Sequence, residues 1–173
     1  MKGVVFTEFL EFVEEQMSPE MVDRVVERAD PASGGAYTGV GTYDYTEMLD
    51  LVTALSEETG QPAADLVRTF GEHLFARFSE SHPEFFAGID GAFELLQNVE
   101  DYIHVEVRKL YPDAELPTLA CEFPRDGQMH MTYRSGRPFA DLAEGLIHGC
   151  VRHFGEPVAV EREDWTEGGE AGT

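Results

Sequence analysis

The apolar residues of this chain change period twice, and that change limits the fold more than any other feature. Up to Leu110 they recur every third or fourth position, the spacing of one helix face. From Leu119 to Tyr133 they recur every second position, the spacing of a strand, and beyond Pro138 the helical spacing returns. A helical N-terminal part, a small antiparallel sheet and a C-terminal helix make an α+β architecture.

Local signals set the boundaries. Val5, Phe6, Phe9, Phe12 and Val13 open a helix in the first turn. Ser18-Pro19-Glu20 supplies an N-cap, a first-turn proline and an acid that suits the helix dipole, starting a second helix to about Arg28. Residues 30–43, rich in Pro, Ser, Gly and Thr, read as a loop. Asp44 with Glu47 has the spacing of a capping box, and that helix stops at Gly60. Pro62 opens a helix carrying Leu66, Phe70, Leu74 and Phe78 as far as His82-Pro83, and a long helix runs from about Asp90 to Leu110. Leu119, Cys121 and Phe123 alternate with polar neighbours, as do Met129, Met131 and Tyr133 beyond an Asp126-Gly127 hairpin turn. Pro138 starts the last helix, with Phe139, Leu142, Leu146, Cys150 and Phe154 on one face and Gly155 at its end. Pro157 to Val160 is strand-like, and the polar tail from Glu161 is expected to fray.

Length and charge narrow the class. The 173 residues suit one domain, and 12 Phe give its core flat side chains that can also wall a pocket for a flat apolar ligand. The 34 acidic against 12 basic residues, a net charge of −22, repel polyanions, so neither nucleic acid nor an acidic membrane surface is an expected partner. Solubility or a saline habitat accounts for this charge, and a basic protein partner would suit it too. Cys121 and Cys150 make no disulfide framework and no CxxC pattern, which fits buried thiols in a reducing compartment. Glu8 and Glu11 interrupt the first apolar run, so no signal peptide is read, and no stretch approaches the ~18 apolar residues of a membrane span. A soluble, cytoplasmic protein is expected.

Two groups of residues carry chemistry. On the long helix Phe93 lies along the face of His104, with Leu96 and Val107 flanking it, so the imidazole points toward apolar material. A neutral imidazole there suits an iron ligand, but a core histidine bonded to a carbonyl is the commoner origin of the same pattern. In Tyr133-Arg134-Ser135-Gly136-Arg137, strand alternation puts Tyr133 and Ser135 on one face and Arg137 at the strand-to-helix corner. Two hydroxyls and a guanidinium beside a helix start suit carboxylates such as haem propionates; an ordinary turn with a surface arginine has the same sequence.

Taken in order, these residues give the chain a resemblance to the haem nitric-oxide/oxygen-binding (H-NOX) family over nearly its whole length. The opening MKGVVFTEFL, the junction SESHPEFFAG, His104, Leu116-Pro117 and YRSGR stand in that family's order and spacing. The resemblance implies one haem-binding domain over 1–173, with about 1–60 as the distal helical part, about 61–173 as the proximal helix and sheet part, and haem b between them. It implies His104 as the axial iron ligand, Tyr133, Ser135 and Arg137 on the propionates, and Pro117 against the macrocycle. Val5, Phe9, Leu74, Phe78, Leu142 and Leu146 would line the pocket.

The same resemblance bears on the gas. Oxygen-binding members place a Tyr hydroxyl over the iron at the position that Leu142 matches. The other wall positions are equally apolar. Dioxygen on ferrous iron carries partial negative charge and gains from a donor, whereas nitric oxide needs none. The expected ligands are therefore nitric oxide and carbon monoxide, with little oxygen binding. Nitric oxide would weaken the bond between iron and His104. No kinase or cyclase segment is read in these residues, so the signal is expected to pass to a separate protein such as a histidine kinase or a diguanylate cyclase. An oxygen-binding haem protein or a haem enzyme is the rival reading; an enzyme would need a distal His or Arg, so no catalytic activity is expected. Some relatives hold zinc where His148, Cys150 and His153 stand, although the spacing here is loose. The chain ends soon after Trp165, which is expected to shorten the last edge of the sheet.

Overall fold

Helix α1 (Gly3–Gln16) begins as soon as the chain does, because residues 39–43 cover its start. The Gly3 N–H donates to the Gly41 carbonyl at 2.8 Å and the Met1 ammonium to the Tyr43 carbonyl at 2.6 Å, satisfying donors that a helix start leaves open. The computed structural model describes residues 1–167 and 170–172; Gly168, Gly169 and Thr173 of the polar tail lie outside the described residues.

The caps read from the sequence form as expected, with one exception. Ser18 Oγ accepts from Met21 N–H at 3.2 Å and starts α2 (Pro19–Ala29). The Asp44 carboxylate accepts from Thr46 N–H at 2.9 Å and starts α3 (Tyr45–Thr59), which Gly60 ends at φ 71°. The reciprocal half of the capping box is absent. The Glu47 carboxylate turns instead into the 30–43 loop, where it accepts from Ser33 Oγ at 2.6 Å and from Tyr37 Oη at 2.9 Å. It orders that loop from within.

Helix α4 (Ala63–Ser81) closes the first core. Phe6, Phe9, Phe12, Leu51, Leu55, Leu66, Phe70 and Leu74 are buried together there. After a 3-10 turn (Pro83–Phe85) the expected long helix runs in three pieces: α5 (Ala92–Asn98), a π turn (Val99–Ile103) and α6 (His104–Leu110). The His104 N–H reaches back to the Val99 carbonyl, which inserts one residue into the turn; apolar spacing alone does not reveal this.

Strands β1 (Thr118–Arg125) and β2 (Gln128–Arg134) form the expected hairpin, with Gly127 at φ 73° in the turn. Leu119 pairs with Tyr133 and Cys121 with Met131. The alternation does not reach Phe123, which is 48% exposed, because the register shifts between Glu122 and Arg125 around Pro124. Helix α7 (Ala140–Phe154) starts two residues after Pro138 and ends at Gly155, φ 65°. Residues 157–160 are not a strand. The described residues of the tail include two strands: β3 (Trp165–Glu167) and β4 (Glu170–Gly172) complete a sheet of order β1-β2-β4-β3, in which Gly172 pairs with Arg134. With three residues each, the two strands make a short edge.

One face of α7 serves two cores. Leu142 and Leu146 pack on the helical cluster, while Cys150 joins Ala92, Leu95 and Leu96 against the sheet. Its backbone touches α4: a Cβ on Gly71 would lie 2.6 Å from the Leu142 carbonyl oxygen, and one on Gly145 would strike the Arg68 carbonyl. Gly145→Ala is therefore expected to destabilise the fold by about 1–3 kcal/mol, the usual cost of overpacking. An unchanged denaturant midpoint would contradict the close crossing. No helix among the described residues is long and apolar enough to cross a membrane.

Candidate functional site

The π turn delivers His104 to the interior, where it is 9% exposed. Its Nδ1 faces Glu100 Oε2 at 3.0 Å, and its Nε2 makes no hydrogen bond among the described residues. Burial lowers the imidazole pKa against the opposing pull of Glu100, so the ring is neutral near pH 7. Burial would raise the Glu100 carboxyl, yet bonds from His104 and Leu119 N–H and the Arg108 charge hold it below the usual carboxylate range. The result is a neutral imidazole, oriented by a carboxylate, with one nitrogen lone pair to give.

The second group gathers at the end of β2. Tyr133 is buried, and burial raises its phenol pKa while the bond with Ser135 and the Arg137 charge oppose the rise. Ser135 Oγ accepts from Arg137 N–H at 3.1 Å, which folds the corner and aims the guanidinium. Arg137 pairs with the Glu115 carboxylate and lies 5.5 Å from the centre of the Tyr45 ring. Tyr45, Glu115, Leu116, Ser135, Gly136 and Arg137 line a cavity of about 220 Å³. An arginine already holding a carboxylate is a site suited to another one. Pro117, half-buried, follows directly on this lining.

The remaining residues separate into two outcomes. Val5, Phe9, Leu74, Phe78, Leu142 and Leu146 come together in the helical cluster, Phe9 and Leu74 fully buried and the others partly so. His148, Cys150 and His153 do not come together. His148 turns to Glu144, the Cys150 thiol to the Ala92 carbonyl, and His153 to the rings of Phe75, Phe86 and Phe154. Burial pushes the Cys150 thiol up to about 12, so it is no thiolate, and no metal-binding cluster stands among the described residues. Sequence reasoning missed Glu100, Tyr45 and Glu115. Only Glu100 left a signal, an acid one helical turn before His104.

The chemistry of the donor set fits haem: one neutral imidazole with a free Nε2, an arginine with two hydroxyls, and an aromatic, apolar cluster. Comparison with known proteins agrees. The haem-NO-binding family model matches residues 2–162. The unliganded Fe(II) H-NOX protein of K. algicida is 39% identical with a TM-score of 0.91, covering 99% of this chain and 94% of that one. The H-NOX of Shewanella woodyi in its Fe(II)CO state is 44% identical with a TM-score of 0.79, covering 90% and 82%. The H-NOX of S. oneidensis in its Fe(II)NO state is 28% identical with a TM-score of 0.82, covering 90% and 86%. No curated protein matches the chain. The family model over residues 2–162 and the 39% identity over nearly the whole chain show that it belongs to the H-NOX family of haem-based gas sensors.

Proposed function

We propose that this chain senses nitric oxide at a ferrous haem b held by His104, discriminates against oxygen, and signals to a separate protein such as a histidine kinase or a diguanylate cyclase. The observation that carries the reading is the buried His104 ring, fixed at Nδ1 by Glu100 and open at Nε2. Ferrous haem, when bound, supplies the iron that takes nitric oxide or carbon monoxide; relatives in both states support those two gases.

The chain's own residues supply the rest. His104 Nε2 would hold the iron from one side. Val5, Phe9, Leu74, Phe78, Leu142 and Leu146 would keep water from the other side and offer no hydrogen-bond donor. Arg137, Ser135 and Tyr133 would hold the propionates, with Glu115 giving up the guanidinium as it swings into solvent, where 78% of its side chain already lies. Pro117 would press on the macrocycle. His104, at the start of α6, is tied through Glu100 to β1, so a change in how His104 is held would move the helix and the sheet together. A ligand that favours one of two such arrangements acts as a switch.

An absorption spectrum of the purified, anaerobically reduced protein, taken before and after nitric oxide, tests this. The expected result is a ferrous haem spectrum with a single axial histidine that changes when the gas is added. A protein purified without haem, and unable to take it up, would overturn the reading.

The anchor should behave differently from the ligand. Arg137→Ala removes a charged hydrogen bond worth about 1.5–3 kcal/mol. Haem transfer to an acceptor protein is then expected to run about 10- to 100-fold faster, with the iron spectrum unchanged. Equal transfer rates would remove Arg137 from the propionate site.

A further inference from the structure

Glu100 does more in this structure than neighbour a histidine. Its Oε2 lies 3.0 Å from His104 Nδ1 and accepts from Leu119 N–H at 3.2 Å, while its Oε1 faces the Arg108 guanidinium at 3.5 Å. Leu119 belongs to β1, two positions beyond Pro117, so the carboxylate is pinned to the sheet as well as to its own helical turn. That turn is the π segment, a form of helix that concentrates at functional sites. The Glu100 side chain is 28% exposed and that of His104 is 11%, a half-dry setting in which a charged hydrogen bond is strong.

We propose that Glu100 is the positioning residue of the ligand: held by the Leu119 N–H, it fixes His104 with the proton on Nδ1 and sets the strength of the bond that Nε2 makes to iron. The inference rests on His104 being that ligand. A carboxylate accepting the Nδ1 proton leaves more electron density on the ring, so Nε2 becomes the stronger donor and the ring cannot turn. Arg108 works the other way, drawing charge from the same carboxylate. Because one oxygen serves both His104 and Leu119, a displacement of the imidazole is transmitted to the strand that starts beside Pro117. An exposed ion pair four residues apart on a helix would do none of this.

Resonance Raman spectra of the unliganded ferrous protein read the iron–histidine stretch directly. Glu100→Gln keeps the shape but weakens the acceptor. It is expected to lower that frequency and to speed haem loss by about 10-fold, a usual loss when the partner of a ligating histidine is changed. Arg108→Ala is expected to leave the frequency unchanged or raise it, since the carboxylate keeps its full charge. A stretch unmoved by Glu100→Gln, or lowered equally by Arg108→Ala as general loosening would do, overturns the proposal. The reading of His104 fails separately: a wild-type protein with no such stretch, or one in which the stretch survives His104→Gly, refutes the ligand itself.

Discussion

His104→Gly is expected to yield protein without haem, and free imidazole is expected to restore it. The chain has six histidines, and the other five are engaged elsewhere. His73 packs against Phe12 inside the helical cluster, with ring centres 5.3 Å apart. His82 pairs with Glu84, His130 with Gln128 and His148 with Glu144, while His153 sits among aromatic rings. His104 has a carboxylate within hydrogen-bond distance of Nδ1, at 3.0 Å, and an open Nε2, whereas the nearest carboxylate to His73 Nδ1, that of Glu15, lies at 4.0 Å. Glycine at this helix start also costs about 1 kcal/mol of helix propensity, so loss of haem by itself could reflect a weakened fold. Imidazole separates the two effects. It would occupy the space the side chain left and donate to the same Glu100 oxygen, which a merely unstable protein would not recognise. Retention of a five-coordinate ferrous histidine spectrum in the variant, without added imidazole, would show that another residue holds the iron.

The legible parts of this fold are those whose cause is local. Ser18, Asp44, Gly60 and Gly155 cap helices because an oxygen acceptor or a positive φ is needed within a few residues, and the sequence displays that need. The Leu119–Tyr133 register follows from alternation around a tight turn. What escaped depends on partners distant in sequence. Glu47 looks like half of a capping box, but its carboxylate serves Ser33 and Tyr37 in the preceding loop. The π turn adds a single residue, too little to disturb a hydrophobic stripe. Strands β3 and β4 have no apolar alternation, and pairing at the edge of β2 decides them. Tyr45 and Glu115 reach the Arg137 corner only through tertiary packing. In the site, Tyr133, Ser135, Arg137 and His104 were singled out because they stand together in the order and spacing of a known family, while each alone also suits an ordinary turn or a core histidine. Glu100 was visible only as an acid on a chain full of acids.

The reduced protein is expected to take nitric oxide and carbon monoxide and to show no stable oxygenated spectrum in air. The reason is the composition of one cluster. Leu142 presents methyl groups, and Val5, Phe9, Leu74, Phe78 and Leu146 of the same cluster have no polar side-chain atom to offer. Bound dioxygen is polar, so a dry pocket without a donor costs it more than it costs the two less polar gases. We place the donor at Leu142, whose backbone lies where α7 crosses α4 at Gly71. Leu142→Tyr should then raise oxygen affinity by on the order of 10-fold, since a hydrogen bond to a charged partner contributes about 1.5 kcal/mol or more. The same hydroxyl has no partner without the gas, so the variant should unfold more easily by about 1–3 kcal/mol. Oxygen should recover part of that loss, which overpacking alone would not allow. The measurement is anaerobic reduction, then air, followed by absorption and by unfolding with and without oxygen. A long-lived oxygenated spectrum in the unmodified protein would overturn the apolar-pocket reading. It would mean that a donor outside these six residues, or a water, reaches the iron.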